Sequence, residues 1–351
     1  MGRPRPAIVV ALGLLCACQQ HQGFSEQPVT TTSALSTTTT ASTTSTTVPL
    51  PATPTWRLMA AGDVLLDDTE AAGIDAFAHV SPPLADADLA IVNLETAVAS
   101  AGTGSAQDKS YVFRTPLSAA GTLARAGVDV VNVANNHSLD FGPAAFVEGL
   151  DALRGAGVTP VGGGHDADEA SAPVLRTIGG VRVAVLGASR VIADSGWIAG
   201  PGHPGVASAY DQRTLVKRVQ RAKAEADVVI VVVHWGVELA PCPDATIVGL
   251  AKALRAAGAT VVLGSHPHVL QPIVQDATGL VAYSLGNFVF HHRTGAAGDT
   301  AVLDLGFDGA RLVSVTTHPH LLASGPPRPA DATASARIRA ELNPARCPNV
   351  G

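Results

Sequence analysis

The segment DVVIVVVHWGVE, residues 227–238, contains six consecutive aliphatic residues that are followed at once by His234. Aliphatic and β-branched residues without polar alternation are typical of a strand buried on both faces, as in a parallel sheet. The segment TVVLGSHPHVL, residues 260–270, is arranged in the same way, because its apolar run leads to His266 and His268. Together they predict a sheet that helices cover on both faces and that carries polar residues where its strands end.

Short apolar runs alternate with longer Ala-, Arg- and Leu-rich segments over residues 56–320. This alternation predicts a single α/β domain without an internal repeat or a second linker. The expected strands cover residues 57–61, 89–92, 128–133, 182–186, 228–233, 260–263, 280–285, 301–307 and 312–317. The expected helices cover residues 116–126, 143–156, 211–226 and 244–257, with a short one near residues 331–342.

The composition excludes several classes of protein. The chain has 351 residues, of which 46% are hydrophobic, and this is enough for one large core or two modest ones. Its net charge of −6 lacks the basic excess that nucleic acid requires, so we expect no nucleic-acid partner. No stretch of the sequence reaches the ~20 apolar residues of a membrane-spanning helix. A polytopic membrane protein, a fully disordered chain and a small disulfide scaffold are therefore excluded.

The first residues are typical of a bacterial export signal. Arg3 and Arg5 precede an apolar stretch, residues 7–17, of the ~7–15 residues expected for the core of a signal peptide. The run Leu15-Cys16-Ala17-Cys18 resembles a lipobox. Residues 1–18 are therefore expected to be a lipoprotein signal peptide, and lipidated Cys18 is expected to anchor the exported protein on the outer face of the cytoplasmic membrane. The alternative is ordinary signal cleavage nearby, without a lipid.

A linker and a tail are expected on either side of the domain. Residues 19–55 are rich in Ser, Thr and Pro and predict a disordered tether, and residues 321–351 form a Pro- and Ala-rich C-terminal tail. Cys242 and Cys347 are the cysteines that remain after lipoprotein processing. In an oxidising compartment they predict a disulfide, and the alternative is two unrelated buried thiols.

Polar side chains follow the predicted strands, at the point where each strand ends. Because open α/β sheets bind ligands beyond the carboxyl ends of their strands, we expect these side chains to surround one site. Carboxylate, amide and imidazole groups together favour Mn²⁺, Fe²⁺ or Zn²⁺. In an extended segment, His266 and His268 would point to the same side. The candidate residues are Asp63, Glu95, Asn136, His137, His234, His266 and His268.

These residues stand in six motifs, whose order and spacing matter more than any one of them. The motifs are Gly62-Asp63-Val64, Asn93-Leu94-Glu95, ANNHSLD at residues 134–140, His234-Trp235-Gly236, GSHPHVLQP at residues 264–272 and YSLGNF at residues 283–288. As an ordered set they resemble the CapA family, the capsule-synthesis proteins associated with bacterial poly-γ-glutamate. The resemblance covers residues 57–307. It implies the four-layer α/β/β/α sandwich of the calcineurin-like metallophosphoesterases, with a metal site on its loops.

The resemblance also implies a role for each candidate residue. Asp63 and His268 would bind a first metal ion, and Glu95 would take the place of a bridging carboxylate. A second ion would be bound by Asn136, His234 and His266. A hydroxide activated by the metal would attack the substrate, and His137 would act as the general acid that protonates the leaving oxygen.

Two residues depart from the superfamily pattern. That pattern has a histidine two residues after its aspartate, and Leu65 occupies this place here. The bridging carboxylate is the longer Glu95 where the superfamily has an aspartate. The first ion is therefore short of a ligand, and one ion or a weakened pair is expected. Asp67 and Asp68 are nearby carboxylates, but we do not assign them as ligands.

Further residues are expected around the site. Lys109 or Arg114 would hold a phosphate or a carboxylate of the substrate, and the alternative is a solvated loop. Glu238 would either orient a ligand histidine or be a solvated surface residue. The residues expected to support the ligands without binding metal are Asn135, Asp140 and Asn287. A second His-Pro-His, at residues 318–320, is interpreted as a surface turn, and His291 and His292 receive no role.

Three classes of function are compatible with these features. The first is a metal-dependent hydrolase that acts on a phosphoester or on an anionic polymer of the cell envelope. The second is a non-catalytic accessory lipoprotein that binds such a polymer, and the third is a structural lipoprotein whose metal only stabilises the fold. The complete His, Asn and Glu set favours the first class over the third, while Leu65 keeps the second open. The resemblance implies other capsule-synthesis proteins as partners.

Overall fold

The computed structural model describes residues 55–291, 293–322 and 326–350. The expected signal peptide, Cys18, the tether up to residue 54 and His292 lie outside the described residues. In chain order, the strands are β1 Trp56–Val64, β2 Leu89–Leu94, β3 Ala97–Val98, β4 Arg114–Thr115, β5 Val130–Asn132, β6 Thr159–Val161, β7 Gly163–Gly164, β8 Val174–Ile178, β9 Val181–Ser189, β10 Gly205–Val206, β11 Val228–His234, β12 Val261–Ser265, β13 Leu270–Asp276, β14 Gly279–Leu285, β15 Asn287–Val289, β16 Asp299–Asp308, β17 Arg311–Leu321 and β18 Arg328–Pro329. The α-helices are α1 Asp67–Ala72, α2 Ser118–Arg125, α3 Gly142–Gly155, α4 Ala167–Ser171, α5 Gln212–Glu225, α6 Ala245–Ala256 and α7 Ala332–Glu341.

Two large mixed sheets contain most of the strands. Sheet 1 has the strand order β18-β17-β16-β1-β2-β5-β6, and β15 also pairs with β1. Sheet 2 has the order β13-β14-β12-β11-β9-β8. Strands β1, β2, β5 and β6 are parallel to one another, and so are β9, β11, β12 and β14. In each parallel set, the carboxyl ends of the strands therefore lie at one edge of the sheet.

Three apolar layers join the sheets and the helices. The middle layer lies between the two sheets and combines Leu58 of sheet 1 with Ile230 of sheet 2. On the outer face of sheet 1, helix α3 contributes Leu150 to a second layer. On the outer face of sheet 2, helix α6 contributes Leu254 to a third. The resulting order of helix, sheet, sheet and helix confirms the expected four-layer α/β/β/α sandwich.

The helices over sheet 2 begin where the sequence predicts. The Asp211 side chain accepts a hydrogen bond from the Arg213 amide at the start of α5, and Asp244 accepts from two amides at the start of α6. Such caps satisfy amide donors that have no partner within the helix. No helix among the described residues is both long and apolar enough to cross a membrane.

The end of β1 approaches another chain segment very closely at Gly62. A β-carbon at this position would lie 1.8 Å from the carbonyl oxygen of Gly286, so that only glycine fits. The next residue, Asp63, donates its amide to the same carbonyl oxygen at 2.9 Å and pairs with Asn287 of β15. This contact joins the end of β1 to the segment that follows sheet 2.

The second His-Pro-His is not a surface turn, and that interpretation was wrong. Residues 318–320 lie inside β17, and His320 is fully buried. The Ser81 amide donates to His320 Nε2 at 3.1 Å, and His320 Nδ1 lies 2.8 Å from the His318 carbonyl oxygen. Pro319 still contributes its carbonyl oxygen to the strand, which accepts a hydrogen bond from the Ala330 amide.

The C-terminal residues contribute to the fold. β18 pairs with β17, and α7 places Ile338 and Leu342 against Ala301 and Leu270. Arg337 of α7 forms an ion pair with the buried Asp299, at 2.6 Å. The short helix near residues 331–342 is present, and the residues around it are packed against both sheets.

Candidate functional site

The candidate residues lie on loops that leave the carboxyl ends of both parallel strand sets. Asp63 ends β1, Glu95 follows β2, and Asn136 and His137 follow β5. His234 ends β11, while His266 and His268 follow β12. Four of these residues therefore come from sheet 1 and three from sheet 2. The structure brings all seven of these residues to one rim.

Glu95 lies at the centre of the cluster. Its Oε1 atom is 3.6 Å from His234 Nε2 and 3.6 Å from His268 Nε2. His234 Nε2 lies 2.7 Å from Asn136 Oδ1, and His268 Nδ1 lies 3.3 Å from Asp63 Oδ2. One carboxylate thus faces a histidine from each of the two inferred ligand groups.

His266 and His268 reach the cluster by a tight turn rather than by an extended chain. Their φ angles are +97° and +57°, and residues other than glycine rarely adopt positive φ angles. The expectation of an extended segment was wrong, because the chain reverses at Pro267 to enter β13. The His266 ring still lies 4.7 Å from the His234 ring and 5.8 Å from the His268 ring. Strain of this kind is often found at functional sites.

Burial sets the protonation of the cluster. Loss of solvent, and then the charge of Asp63, raises the pKa of the Glu95 carboxyl well above its usual range. Burial lowers the pKa of His234 well below its usual range and that of His266 to about 4. Burial also opposes protonation of His268, but the hydrogen bond and the charge of Asp63 raise its pKa. At neutral pH, His234 and His266 are therefore neutral and can donate electron pairs to a cation.

The donor set fits a divalent metal ion. Glu95 Oε1 and His266 Nδ1 are buried polar atoms without a hydrogen-bond partner among the residues described. Two groups have ligand atoms within 4.8 Å of one another: Glu95 with His266 and His268, and Asp63 with Glu95 and His234. Unpaired buried acceptors are costly unless a ligand satisfies them. Leu65, two residues after Asp63, is buried and offers no ligand atom.

His137 is held beside the cluster by a buried carboxylate. Its Nδ1 atom lies 2.8 Å from Asp140 Oδ2, and the Phe113 ring packs against the imidazole with centroids 4.2 Å apart. Lys109 Nζ lies 2.5 Å from the other Asp140 oxygen and 3.2 Å from His137 Nδ1. Because Asp140 engages Nδ1, the Nε2 atom of His137 remains available to hold and deliver a proton. Burial lowers the pKa of His137 in spite of Asp140.

Asn93 is a site residue that the sequence analysis did not assign. Its Nδ2 atom donates to Asp63 Oδ1 at 2.9 Å and lies 3.3 Å from His234 Nδ1, so that it links ligands of both sheets. Asn132 in turn donates to Asn93 Oδ1 at 2.9 Å. The position of Asn93, two residues before Glu95 at the end of a buried strand, was the available signal.

Three other polar residues support the ligand loops. Asn135 donates to the Leu94 carbonyl oxygen and accepts from the His137 amide at 2.9 Å. Asn287 Oδ1 lies 2.9 Å from His268 Nδ1, and its Nδ2 donates to the His268 carbonyl oxygen. Ser265 Oγ lies 3.0 Å from His234 Nδ1 and was not anticipated. Together they fix the turns that carry His137, His234 and His268.

The expected substrate-binding residues differ in their placement. Arg114 donates to the carbonyl oxygens of Ser100 and Thr103, and its guanidinium lies 3.7 Å above the Phe141 ring. The Arg114 guanidinium therefore stabilises the loop that carries Ser100 and Thr103 and is not free to bind a substrate. Lys109 is at the site, but it also donates to the Asn136 carbonyl oxygen at 2.5 Å. Glu238 is exposed, as the alternative of a surface residue expects. Its charge opposes the lowering of the His266 pKa by burial and adds to the raised pKa of His268.

Asp67 and Asp68 do not join the central cluster. Their carboxylates lie 3.3 and 3.6 Å from the two ring nitrogens of His291. The histidine that had received no role therefore pairs with the carboxylates at the start of α1. Asp67 and Asp68 therefore do not substitute for the ligand histidine whose place Leu65 occupies.

Cys242 and Cys347 form a disulfide, with their Cα atoms 5.7 Å apart. Cys242 lies in the segment that connects β11 to α6, eight residues after His234. Cys347 is buried in the apolar layer beneath α5 and α6. The bond therefore attaches the C-terminal segment to a loop that leaves the metal cluster.

The sequence is similar to known proteins of capsule synthesis. It is 33% identical over 261 residues to the capsule biosynthesis protein CapA of Bacillus anthracis, which covers 72% of this chain and 62% of that protein. It is 32% identical over 237 residues to the PGA biosynthesis protein CapA of Bacillus subtilis, which covers 67% of this chain and 62% of that protein. The chain thus matches less than two thirds of the length of these relatives.

Solved structures give a weaker similarity. A 5′-nucleotidase from Candida albicans has a TM-score of 0.45 and 13% identity, and it covers 84% of this chain and 56% of its own. The sulfate thiohydrolase SoxB from Thermus thermophilus has a TM-score of 0.42 and 18% identity, and it covers 73% of this chain and 43% of its own. Similarity at this level carries no functional conclusion.

The family model matches over most of the folded part of the chain. Residues 57–292 match the model described as bacterial capsule synthesis protein PGA_cap. This range includes all of β1 except Trp56, every candidate metal ligand and His137. The chain belongs to the PGA_cap family of bacterial capsule synthesis proteins.

Proposed function

We propose that this protein is a metal-dependent hydrolase that acts in the synthesis or export of an anionic capsule polymer of the poly-γ-glutamate type. The observation that carries the proposal is the position of Glu95. Its buried Oε1 atom has no hydrogen-bond partner among the residues that the structure describes, and it lies 3.6 Å from one nitrogen each of His234 and His268. A carboxylate in this position satisfies its lone pairs when a cation binds.

The residues divide into those that hold a cation and those that handle a proton. Asp63, Glu95 and His268 would hold one divalent ion, and Asn136, His234 and His266 would complete the site for a second. Bound there, a divalent ion would supply Lewis acidity towards an ester oxygen and lower the pKa of bound water. Mn²⁺, Fe²⁺ and Zn²⁺ all accept such oxygen and nitrogen ligands.

His137 acts as the general acid in this proposal. Asp140 Oδ2 faces Nδ1, so that Nδ1–H would be directed at this carboxylate and Nε2 at the leaving group. His137 would deliver a proton from Nε2 when its imidazole is doubly protonated, and the same atom would accept a proton when the ring is neutral. Lys109 neutralises Asp140 and binds the carbonyl oxygen of Asn136. Lys109 thereby positions His137 relative to a metal ligand, which differs from the anion-binding role expected from the sequence.

A second candidate function is a non-catalytic accessory protein that binds the anionic polymer. The observation that favours it is Leu65, which is buried where the superfamily pattern has a ligand histidine. A site with fewer ligands holds an ion less tightly and activates water less well. In either case, we propose that Cys18 is lipidated and anchors the exported protein to the outer face of the cytoplasmic membrane, where other capsule-synthesis proteins are its partners.

The test combines metal analysis with hydrolysis of a phosphomonoester and a phosphodiester. Wild type, His266→Ala and His137→Ala are compared, and the exposed His79→Ala serves as the matched control. We expect His266→Ala to lose bound metal and activity. His137→Ala should keep its metal and lose about 10²–10⁴-fold in turnover. His79→Ala should match wild type in both.

Each outcome assigns a function. Bound metal without activity on any phosphoester or glutamate polymer would support the accessory protein over the hydrolase. Wild type that binds neither Mn²⁺ nor Zn²⁺ would exclude both the metal centre and the hydrolase. Equal metal loss in His79→Ala and His266→Ala would show that the effect is not specific to the cluster.

A further inference from the structure

A cavity of about 550 Å³ lies between α4 and α5 and shares no residue with the metal cluster. One wall is the face of α5 that carries Lys217, Arg218 and Arg221. Arg221 follows Arg218 by three positions and Lys217 by four, and residues at these spacings are neighbours on a helix surface. All three residues line the cavity. Nothing in the proposed hydrolase mechanism uses this cavity.

Arg218 has an unsatisfied nitrogen in this cavity. Its Nη1 atom is buried and makes no hydrogen bond within the described part of the chain. Burial also lowers the pKa of Arg218, and Asp211 offsets this only by its charge. A buried guanidinium nitrogen that lacks an acceptor is unfavourable. A ligand that supplies an acceptor would remove this cost.

The rest of the lining defines the class of ligand. The three cations face two carboxylates, Asp168 and Glu225, which are exposed, so that one positive charge is in excess. The rest of the lining is apolar at Pro173 and Ala222 and carries hydroxyl groups at Ser171 and Thr214. A guanidinium matches the paired oxygens of a carboxylate or a phosphate. The lining thus suits an anion that has a short apolar portion.

We propose that this cavity binds a small organic anion through a carboxylate or phosphate group, with Arg218 as the anchor. Lys217 and Arg221 flank the anchor and add long-range attraction. The apolar wall contacts the carbon skeleton of the ligand. The site is independent of the metal centre, since it lies on other elements.

Calorimetric titration of the full chain with glutarate, and separately with inorganic phosphate, tests the proposal. The protein is first freed of metal by chelation, because both anions also bind metal ions. We expect saturable binding of at least one anion, and the preferred one identifies the carboxylate or the phosphate as the recognised group. Arg218→Gln should weaken it by about tenfold or more, because a charge-assisted bidentate contact is lost.

The matched control is Arg213→Gln, on the same helix and with the same change in charge. The Arg213 side chain is 93% exposed and does not line the cavity, so this variant should bind like wild type. Arg221→Gln should weaken binding in the same direction as Arg218→Gln, and His266→Ala should leave it unchanged. Absence of saturable binding with both anions, or an equal effect of Arg213→Gln and Arg218→Gln, would overturn the proposal.

Discussion

Removal of the disulfide between Cys242 and Cys347 should destabilise the protein strongly. The two residues are 105 positions apart in sequence, so the bond closes a very long loop in the unfolded chain. On the chain-entropy account, a loop of this length is worth about 4.7 kcal/mol at 25 °C. Residual structure in the unfolded chain reduces this value, and we expect a loss of about 3–5 kcal/mol for the variant Cys242→Ala/Cys347→Ala.

Guanidinium unfolding at equilibrium measures this loss. The double variant and each single variant should have the same reduced free energy of unfolding, because one substitution already breaks the bond. Reductant should lower the stability of wild type to that of the double variant and leave the double variant unchanged. A loss below about 1 kcal/mol would refute the reasoning, since a constraint on so long a loop cannot then be acting in the unfolded chain.

The other predictions concern a glycine, a histidine and the lipid anchor. Gly62→Ala should cost more than about 2 kcal/mol and weaken metal binding, because the new β-carbon meets the Gly286 carbonyl oxygen at 1.8 Å. The control Gly249→Ala lies in open space within α6 and should instead stabilise the protein by about 1 kcal/mol. Thermal unfolding of both variants measures these changes. Burial lowers the pKa of His320, so that on acidification the unfolded chain takes up this proton before the folded chain does. The free energy of unfolding should therefore decrease as the pH is lowered from about 6.5, by up to ~1.4 kcal/mol per pH unit. His320→Gln should reduce that slope in urea unfolding at several pH values, and an unchanged slope would contradict the assignment. Wild type should partition with membranes and be extracted by detergent, whereas Cys18→Ser should be released or left unprocessed; identical soluble fractionation of both would exclude the lipid anchor.

Strands that are buried on both faces could be predicted from the sequence, and strands at the edges could not. The run at residues 228–233 has one apolar residue after another because helices and a second sheet cover it, and no polar pattern competes with that signal. Strand β8, Val174–Ile178, is an edge strand whose three central residues are exposed, so its sequence looks like a loop. The predicted strand at residues 312–317 ended too early, because residues 318–320 were interpreted as a surface turn and instead lie inside β17.

The candidate site was predictable to the extent that its residues stand in ordered motifs at strand ends. Backbone detail was not, since nothing in His-Pro-His distinguishes an extended segment from the turn with positive φ at His266 and His268. Asn93 was missed because an asparagine after a strand is usually a turn residue. The hydrogen bonds of Arg114 to the carbonyl oxygens of Ser100 and Thr103 could not be predicted, because they depend on how two loops pack against each other.

The division of the candidate ligands between two sheets would make the proposed metal centre sensitive to residues far from it. Any sliding of one sheet over the other would separate Glu95 from His234 and His268 before it disturbed either sheet internally. The apolar layer between the sheets therefore keeps the two sets of candidate ligands aligned. This layer includes the stacked rings of Trp56 and Phe307, whose centroids are 4.2 Å apart. A substitution that opens a cavity between the sheets would lower the affinity of the proposed site for a metal ion, although every candidate ligand would still be present.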